Sequence, residues 1–316
     1  MLDYSLLAAI AAVVREGSFE RAARALHLSP SAVSQRVKLL EERLGQVLVV
    51  RGTPCVATEA GRHLCRHVEQ VGMLEQDLLG AMPALAPDGQ GRVSLRLAVN
   101  ADSLATWFLP AAAAFAEAES ALLELSLDDQ AHTAERLRSG EVLAAVTDLA
   151  EPVQGCRSLP LGAMRYVATA SPAYVRRYFP AGVTVEALRQ APCLRFNQQD
   201  QLQQNWVKQT IGQALSLPCH GLPSAQAFVD ASIAGLGWGM NPDSAVAPAL
   251  ADGRLLLLLP QSSLLLPLYW QCTRQPLPML ERLTQAVLVA ARAGLADLAD
   301  PAYEEQVRAD VEHGLP

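Results

Sequence analysis

Three short stretches at the start of the chain carry apolar residues every three or four positions, the spacing of one face of an α-helix. They cover residues 4–15, 19–26 and 29–44. We expect the apolar face of the third stretch to be buried, and its members are Val33, Val37, Leu40 and Leu44. The pattern therefore predicts three helices around one small core.

The junction between the second and third helices is short. Ser18 is placed to cap the second helix, and Ala22 and Ala23 would allow close helix crossing. Ser29 is placed to cap the third helix, with Pro30 at the first helical position, where a missing N–H costs nothing. Two helices joined in this way are typical of a helix-turn-helix motif.

A second stripe on the third helix is polar. Its members recur at helical spacing and are Ser31, Ser34, Gln35 and Lys38. The carboxylates of this helix come only later, at residues 41 and 42. Short hydrogen-bonding groups and one cation suit contacts to bases and phosphates. A polar helix face is far more often merely solvated, so the stripe gains meaning only from its neighbours.

The residues after this helix predict a wing. A strand is expected at residues 47–50, and the turn at 51–54 carries the cation of Arg51 and the hydroxyl of Thr53. Base contacts specify a DNA site, whereas phosphate contacts position the protein, and Arg36, Arg51 and Thr53 are candidates for the phosphates. The full candidate set for DNA is Ser29, Ser31, Ser34, Gln35, Arg36, Lys38, Arg51 and Thr53.

This part of the chain resembles the N-terminal signature of the LysR-type bacterial transcriptional regulators. The resemblance rests on Ser18, Ala22, Ala23, Leu26, Ser29, residues 31–34, Val37, residues 40–41 and 44–45, Leu48, Arg51 and residues 58–61. The sequence departs from the pattern at Val49 and Val50, where many members carry a phenylalanine, and we expect only altered packing in the wing.

The resemblance implies an all-α winged helix-turn-helix domain at residues 1–62 and a linker and dimerisation helix with a hinge at 63–90. The protein would act as a homodimer, with a tetramer left open, on promoter DNA, and RNA polymerase is left open as a further partner. Two recognition helices would enter successive major grooves, with half-sites roughly one turn, about 34 Å, or a multiple of it apart.

The sequence of the linker itself agrees with this. Thr58 can cap a long helix whose apolar positions are Leu64, Val68, Val71, Leu74 and Leu78. That stripe is longer than one small domain requires, although packing on its own domain stays open as the alternative. Residues 83–91 are rich in proline and glycine, which predicts a hinge.

From residue 93 onward, predicted strands and helices alternate. Strands are expected at residues 93–99, 122–127, 142–147, 165–170, 193–196, 255–259 and 264–266, and helices at 103–118, 133–139, 202–212, 225–234 and 278–293. Alternation of this kind predicts a parallel sheet covered by helices, with ligands at the carboxyl ends of strands.

For this region the family resemblance implies an α/β bilobal effector domain, similar to periplasmic binding proteins, over residues 91–295. Lobe I would cover about 91–162 and 267–295, and lobe II about 163–266. The acidic, weakly patterned residues 296–316 are predicted to be a tail.

Polar residues follow the predicted strands, and they suit an amino acid with a basic side chain. A helix start near Ser103 offers free N–H groups to a carboxylate, and aspartates at neighbouring strand ends offer oxygens to a cation. The candidate ligand-binding residues are Asn100, Asp102, Ser103, Asp129, Thr147, Asp148 and Asn197. Asp and Ser at strand ends are also common helix caps, so the alternative for each is structural.

Residues 97–107, 135–138 and 140–142 resemble a subgroup of the family, the ArgP and LysG kind, which regulate lysine and arginine export. Lobe II departs from that subgroup at residues 197–200 and 240–242. The resemblance implies a regulator that responds to lysine or arginine and controls genes of amino-acid export or metabolism.

The net charge of −7 looks unsuited to a DNA-binding protein until it is divided along the chain. Through Arg66, nine Lys or Arg meet six Asp or Glu, so this part carries +3 and the remainder carries −10. A basic head on an acidic body fits DNA binding confined to one end. Chance stays open as the alternative, because +3 is modest.

The rest of the sequence argues against a metal site, a membrane protein and an enzyme. The six cysteines form no C-x-x-C pair or zinc spacing, so we expect reduced structural thiols and no metal or cofactor. The family resemblance leaves a redox-sensing pair open as the alternative, since some members sense oxidants in that way, but nothing in the sequence pairs two of the six. No signal sequence or membrane span is found, so a cytoplasmic protein is expected. No catalytic motif is found either, so we do not expect an enzyme. The alternatives are an effector-independent DNA binder of the nucleoid or replication-origin type and, less favoured, an amino-acid-binding enzyme.

Overall fold

The computed structural model describes residues 2–82, 92–119, 121–127 and 130–298, without the side chains of 130–132. Three predictions therefore lie outside the described residues: the hinge at 83–91, the ligand contact of Asp129, and the tail beyond residue 298. No helix in the described ranges combines the length and apolar composition needed to cross a membrane.

The first three helices form where the apolar spacing predicts them, as α1 (Tyr4–Glu16), α2 (Phe19–Ala25) and α3 (Pro30–Leu44). Both predicted serine caps are confirmed. Ser18 Oγ accepts from the Arg21 N–H at 3.1 Å, and Ser29 Oγ accepts from the Ala32 N–H at 3.2 Å. The shared core includes Leu7, Ile10, Val33, Val37 and Leu40.

The prediction that Leu44 is buried is wrong, because α3 ends at this residue. Gly45 adopts a left-handed conformation with φ +66° and donates its N–H to the Glu41 carbonyl, which closes the helix. The last turn thus extends past the core, and Leu44 is 41% exposed.

The wing is built from two very short strands, β1 (Val49–Val50) and β2 (Val56–Ala57), paired antiparallel. The strand predicted at 47–50 is therefore limited to its second half. The reason is that the Leu48 N–H donates to Glu41 Oε1 at 2.9 Å and the Leu48 carbonyl accepts from the Thr58 N–H at 2.9 Å. These partners occupy the Leu48 backbone groups that strand pairing would use.

Helix α4 (Glu59–Ala81) carries the linker, and the predicted cap at Thr58 is confirmed by its bond from the Gly61 N–H at 3.2 Å. Its early apolar positions, Leu64 and Val68, pack on the N-terminal core, as the alternative interpretation held. The later apolar positions of the helix are not buried against this core, and Leu74 and Leu78 are 49% and 52% exposed.

The second half of α4 is joined to the effector domain by packing and by charge. Met73 is buried in the effector core. Glu69 forms an ion pair with Arg96 at 2.6 Å, and Asp77 forms one with Arg282 at 2.6 Å. The linker helix therefore contacts both hydrophobic cores of the protein.

The effector domain is organised on one seven-stranded mixed sheet. Its strands run in the order β10-β6-β11-β5-β3-β4, with β9 also paired to β6. The bounds are β3 (Val93–Val99), β4 (Ala121–Leu127), β5 (Ala144–Thr147), β6 (Cys156–Ala170), β9 (Gly239–Pro242), β10 (Leu256–Leu257) and β11 (Ser263–Thr273). We call the part built on β3–β5 lobe I. Lobe II is the part built on β9, β10 and a separate pair of strands, β7 (Cys193–Arg195) and β8 (Cys219–Gly221).

The expected parallel sheet is only partly found. β3 pairs parallel with β4 and β5, but β11 returns from late in the chain and pairs antiparallel with both β5 and β6. Local alternation could not reveal this pairing, because the partner residues lie 96 to 128 positions apart in the sequence. The predicted lobe limits at residues 162 and 267 fall inside β6 and β11, which run through both lobes as continuous strands.

The helices cover this sheet, and a small parallel pair, β7 (Cys193–Arg195) and β8 (Cys219–Gly221), lies within lobe II. Helices α5 (Ala101–Ser103) and α6 (Leu109–Ala118) are continuous through a π-helical segment at Leu104–Phe108. The others are α7 (Gln130–Ser139), α8 (Pro172–Tyr178), α9 (Val185–Gln190), α10 (Leu202–Ile211), α11 (Ala225–Ala234), α12 (Asp243–Ala251) and α13 (Pro278–Gly294).

Candidate DNA-binding surface and effector cleft

The polar stripe of α3 lies on the side of the helix opposite its buried face. Ser31, Gln35 and Lys38 are exposed and Ser34 is half-buried, whereas Val33 and Val37 are fully packed. The exposed side chains offer a hydroxyl, an amide and an ammonium group, which together can donate to and accept from base edges.

The one cation of this stripe, Lys38, lies at its C-terminal end. Lys38 Nζ lies 3.5 Å from Glu42, but both side chains are largely exposed, so the pair is weak and easily exchanged. Glu41 is turned away, because its carboxylate accepts the Leu48 and Val49 N–H groups at the base of the wing. Arg36 is half-buried.

The wing and the start of α3 supply the other candidates. Arg51 is exposed and its guanidinium lies 4.9 Å from the centre of the Phe19 ring, so it is held at the start of α2. Thr53 is exposed at the tip of the turn. Ser29 differs from the others because its hydroxyl already caps α3 and lies 3.0 Å from Ser31 Oγ.

In the effector domain, Asn100 caps the helix after β3, and Ser103 lies in the first turn of that helix. Asn100 Oδ1 accepts from the Ser103 N–H at 2.7 Å, which is the structural alternative for this residue. Ser103 is completely buried, and its hydroxyl has no hydrogen-bond partner among the described residues. A buried unsatisfied hydroxyl is costly, so Ser103 Oγ is a group that a ligand would satisfy.

Asp102 is bonded to a residue of the long strand β6. Its Oδ2 accepts the hydroxyl of Tyr166 at 2.7 Å. Burial raises the pKa of the Asp102 carboxyl, Tyr166 lowers it by hydrogen bonding, and the nearby charge of Asp200 raises it. No cationic side chain is among these groups, so within the described residues the buried Asp102 carboxylate has no partner of opposite charge.

Two further carboxylates lie near this pair. Burial raises the pKa of Tyr166 well above its usual range, and the charges of Asp200 and Asp148 raise it further. Asp148 follows β5 in lobe I, and Asp200 belongs to lobe II. Asp200 is fixed by accepting the Phe196 N–H at 2.9 Å and the Leu202 N–H at 3.0 Å. The cleft thus has negative charge from both lobes.

Two further predicted residues, Thr147 and Asn197, bond to the backbone of their own loops. Thr147 is buried and its hydroxyl oxygen accepts from the Leu149 N–H at 3.2 Å. Asn197 Oδ1 accepts from the Gln199 and Asp200 N–H groups, both at 2.9 Å, so it shapes the loop that carries Asp200.

Tyr166 and Asp200 were not among the predicted ligand-binding residues. Asp200 had a usable signal, since it follows the carboxyl end of a predicted strand as the other candidates do. Tyr166 had none, because it lies within a strand and its position opposite Asp102 depends on the pairing of distant segments.

Comparison with known proteins agrees with both parts of this description. Residues 4–62 match the family described as "Bacterial regulatory helix-turn-helix protein, lysR family", and residues 88–292 match the "LysR substrate binding domain". The chain belongs to the LysR family of bacterial transcriptional regulators. This LysR-type regulator is also 46% identical over 295 residues to the "HTH-type transcriptional regulator ArgP" of Pseudomonas aeruginosa, covering 93% of this chain and 98% of that protein.

Solved structures of relatives give the same result for the fold. The crystal structure of ArgP from Mycobacterium tuberculosis is 43% identical to this LysR-type regulator, with a TM-score of 0.77 over 94% of this chain and all of that one. The full-length LysG of Corynebacterium glutamicum "with bound effector Arg" is 38% identical, with a TM-score of 0.68 over 93% of this chain and all of that one. The resemblance to the ArgP and LysG subgroup is confirmed.

Proposed function

We propose that this LysR-type regulator binds specific promoter DNA as a homodimer and changes that binding when arginine or lysine enters the cleft between its lobes. The observation that carries the effector is the buried Asp102 carboxylate, which is bonded to Tyr166 and lies near Asp200, with no cation beside it in the part of the chain that the structure describes. A guanidinium or ammonium group would supply the missing charge. The bound arginine of the LysG relative supports the same class of ligand.

The two ends of the ligand would meet different groups. The side-chain cation would lie between Asp102, Asp148 and Asp200. The α-carboxylate would accept from the buried Ser103 hydroxyl, with the Thr147 hydroxyl and the Asn197 amide as further donors. Because Asp200 belongs to lobe II and Asp102 to lobe I, a cation between them would favour a closed arrangement of the lobes.

On DNA, we assign Gln35, Ser31, Ser34 and Lys38 to base edges or adjacent phosphates, and Arg36, Arg51 and Thr53 to phosphates. A second copy would cover the exposed apolar residues at the end of α4, which are Leu74, Leu78 and the C-cap residue Met82, each about half exposed. Binding to chromosomal DNA would place the protein in the bacterial cytoplasm, with no catalytic role.

The coupling between the sites would run through α4. This helix is joined to β3 by the Glu69–Arg96 pair, and β3 ends directly before Asn100 and Asp102. Ligand binding can shift DNA affinity only if the two arrangements bind the ligand differently, which the carboxylates on both lobes provide.

The test is a gel-shift titration of the full-length protein on DNA upstream of its own gene and of neighbouring transporter genes. Arginine, lysine and citrulline are each added, citrulline being the neutral analogue of arginine. We expect arginine or lysine to change the affinity or the pattern of the specific complex, and citrulline to have no effect. A specific complex indifferent to both cations would exclude the proposed effector. Equal binding to every sequence, with or without amino acid, would favour a nucleoid-type protein instead.

A further inference from the structure

Two of the six cysteines meet in lobe II. Cys193 on β7 and Cys219 on β8 are direct partners in a parallel pair, and their Sγ atoms are 2.8 Å apart. Nothing in the sequence pairs two of these thiols, so the pair could be recognised only from the structure. The residues are separated by 26 positions, and only the pairing of β7 with β8 brings them together.

We propose that Cys193 and Cys219 are a reversible oxidation site that forms a disulfide inside lobe II. Partners on adjacent strands have Cα atoms about 4.8 Å apart, which is within the range that disulfides span. The two sulfur atoms already touch, so bond formation needs a shift of less than about 1 Å toward the usual length of about 2.05 Å.

The two thiols differ in access, which sets the order of the chemistry. Cys193 is completely buried, and burial together with its contact to Cys219 raises the pKa of its thiol. Cys219 is partly exposed and donates to the Leu217 carbonyl at 3.3 Å. An oxidant therefore reaches Cys219 first, and Cys193 acts as the resolving thiol.

With hydrogen peroxide as oxidant, the Cys219 thiolate attacks one oxygen, the O–O bond breaks, and a sulfenic acid and hydroxide form. The Cys193 sulfur then attacks the sulfenic sulfur as its thiol proton passes to the departing hydroxide, and the S–S bond forms. Protons from the two thiols convert the hydroxides to water. Two thiols lose two electrons in total, and one peroxide is reduced to two waters.

The other cysteines do not share this arrangement. Cys55 and Cys65 are buried in the N-terminal core. Cys272 lies across from Arg157 rather than from Cys156, and its Sγ accepts from Arg157 Nε at 3.2 Å. Oxidation should therefore be confined to the pair in lobe II.

The disulfide would act on the effector cleft, a consequence that rests on the proposed function. Strand β7 ends at Arg195, and the next residue, Phe196, donates its N–H to Asp200 at 2.9 Å. Drawing Cys193 toward β8 displaces the strand that positions Asp200. We expect the oxidised protein to bind arginine at least threefold more weakly than the reduced protein, and dithiothreitol to restore the affinity.

The cross-link is tested first, without any amino acid. Full-length protein is treated with millimolar hydrogen peroxide, remaining thiols are alkylated, and tryptic peptides are mapped by mass spectrometry without reduction. We expect peptide 190–195, which holds Cys193, joined to peptide 209–254, which holds Cys219, in a monomeric chain. Cys219→Ser and Cys193→Ser should each abolish this product, whereas Cys65→Ala should leave it unchanged. Alkylation of both thiols after full treatment, or a link to another cysteine, would overturn the proposal.

Arginine affinity is then measured by calorimetry on the reduced, oxidised and re-reduced protein. An unchanged affinity in a fully cross-linked protein would overturn the regulatory consequence alone. If neither form binds arginine or lysine, the proposed effector fails while the mapped cross-link still stands. The two proposals are therefore tested by separate readouts.

Discussion

Tyr166 donates its hydroxyl to Asp102 Oδ2 at 2.7 Å, and this bond joins a strand shared by both lobes to the helix start of lobe I. The carboxylate is buried beside a second negative charge, Asp200, so its ionised form is electrostatically unfavourable in the folded chain. A cationic ligand would relieve this unfavourable charge. The Asp102 carboxylate should therefore strengthen ligand binding and, in the absence of ligand, lower the free energy of unfolding.

Replacing Asp102 by Asn is the direct test of this relationship. Asn keeps the shape and can still accept from Tyr166, but it removes the charge that a guanidinium would pair with. We expect the arginine affinity, measured by calorimetry, to fall by about 2 to 3 kcal/mol, or roughly 30- to 150-fold. The free energy of unfolding without ligand should stay equal or rise, because a buried charge has been removed.

The matched control is Asp230→Asn, the same change at an exposed aspartate on α11. It should leave both quantities within about 0.5 kcal/mol of the parent protein. An Asp102→Asn protein that keeps full arginine affinity would remove Asp102 from the cation site.

The pH dependence follows from the same carboxyl group. Because its folded-state pKa is raised, the folded chain binds this proton more tightly than the unfolded chain does. The stabilising contribution of Asp102 is therefore lost as pH rises from about 4, the ordinary value, through the raised value. Arginine binding changes in the opposite sense, and it should weaken as pH falls through the raised value, since arginine stays cationic throughout.

Calorimetric titration of arginine between about pH 4 and pH 8 checks this expectation against Asp102→Asn. The difference between the two proteins should shrink toward the acidic end. A difference that stays constant across the range would show that Asp102 does not titrate in the way its burial implies.

Gln35→Ala tests base reading by the polar stripe. We expect a loss of about 1 to 3 kcal/mol on the specific site and much less on random DNA, because an amide contact to a base edge is specific to sequence. Gln46, exposed just beyond α3, supplies the control as Gln46→Ala. Equal losses on specific and random DNA, measured by fluorescence anisotropy, would contradict the assignment of Gln35 to a base.

Arg51→Ala tests the wing as a phosphate contact. Affinity should fall on every DNA sequence, and the slope of log affinity against log salt should decrease by about one unit. Arg177→Ala is a close control, because Arg177 also lies 4.9 Å from an aromatic ring, that of Tyr178, but in lobe II. If both variants keep the parent slope, Arg51 is not a phosphate contact.

Two glycines of α4 test the packing beneath the wing. A Cβ on Gly61 would lie 2.1 Å from the Leu48 carbonyl oxygen, whereas a Cβ on Gly80 would meet nothing within 4 Å. Gly61→Ala should lower the free energy of unfolding by at least about 2 kcal/mol, because backbone must move. Gly80→Ala should raise it by up to about 1 kcal/mol through helix propensity. Denaturant unfolding of both variants measures this, and similar effects would contradict the close approach of α4 to Leu48.

The sequence predicted best where the interactions are local. The caps at Ser18, Ser29 and Thr58 each bond to an N–H three residues later, so a short window contains the whole interaction. Leu44 was wrongly predicted as buried because periodicity gives the face of a residue and not the point where the core ends.

The amino-acid sequence by itself determined the helix-turn-helix, the polar stripe from Ser31 to Lys38 and the family, since these depend on contiguous residues. The tertiary structure alone decided that Tyr166 meets Asp102, that Asp200 lies near them, and that Cys193 touches Cys219. Each of these contacts joins segments that only sheet pairing or lobe packing brings together. Their partners are fixed by chain topology, which no local pattern of side chains encodes.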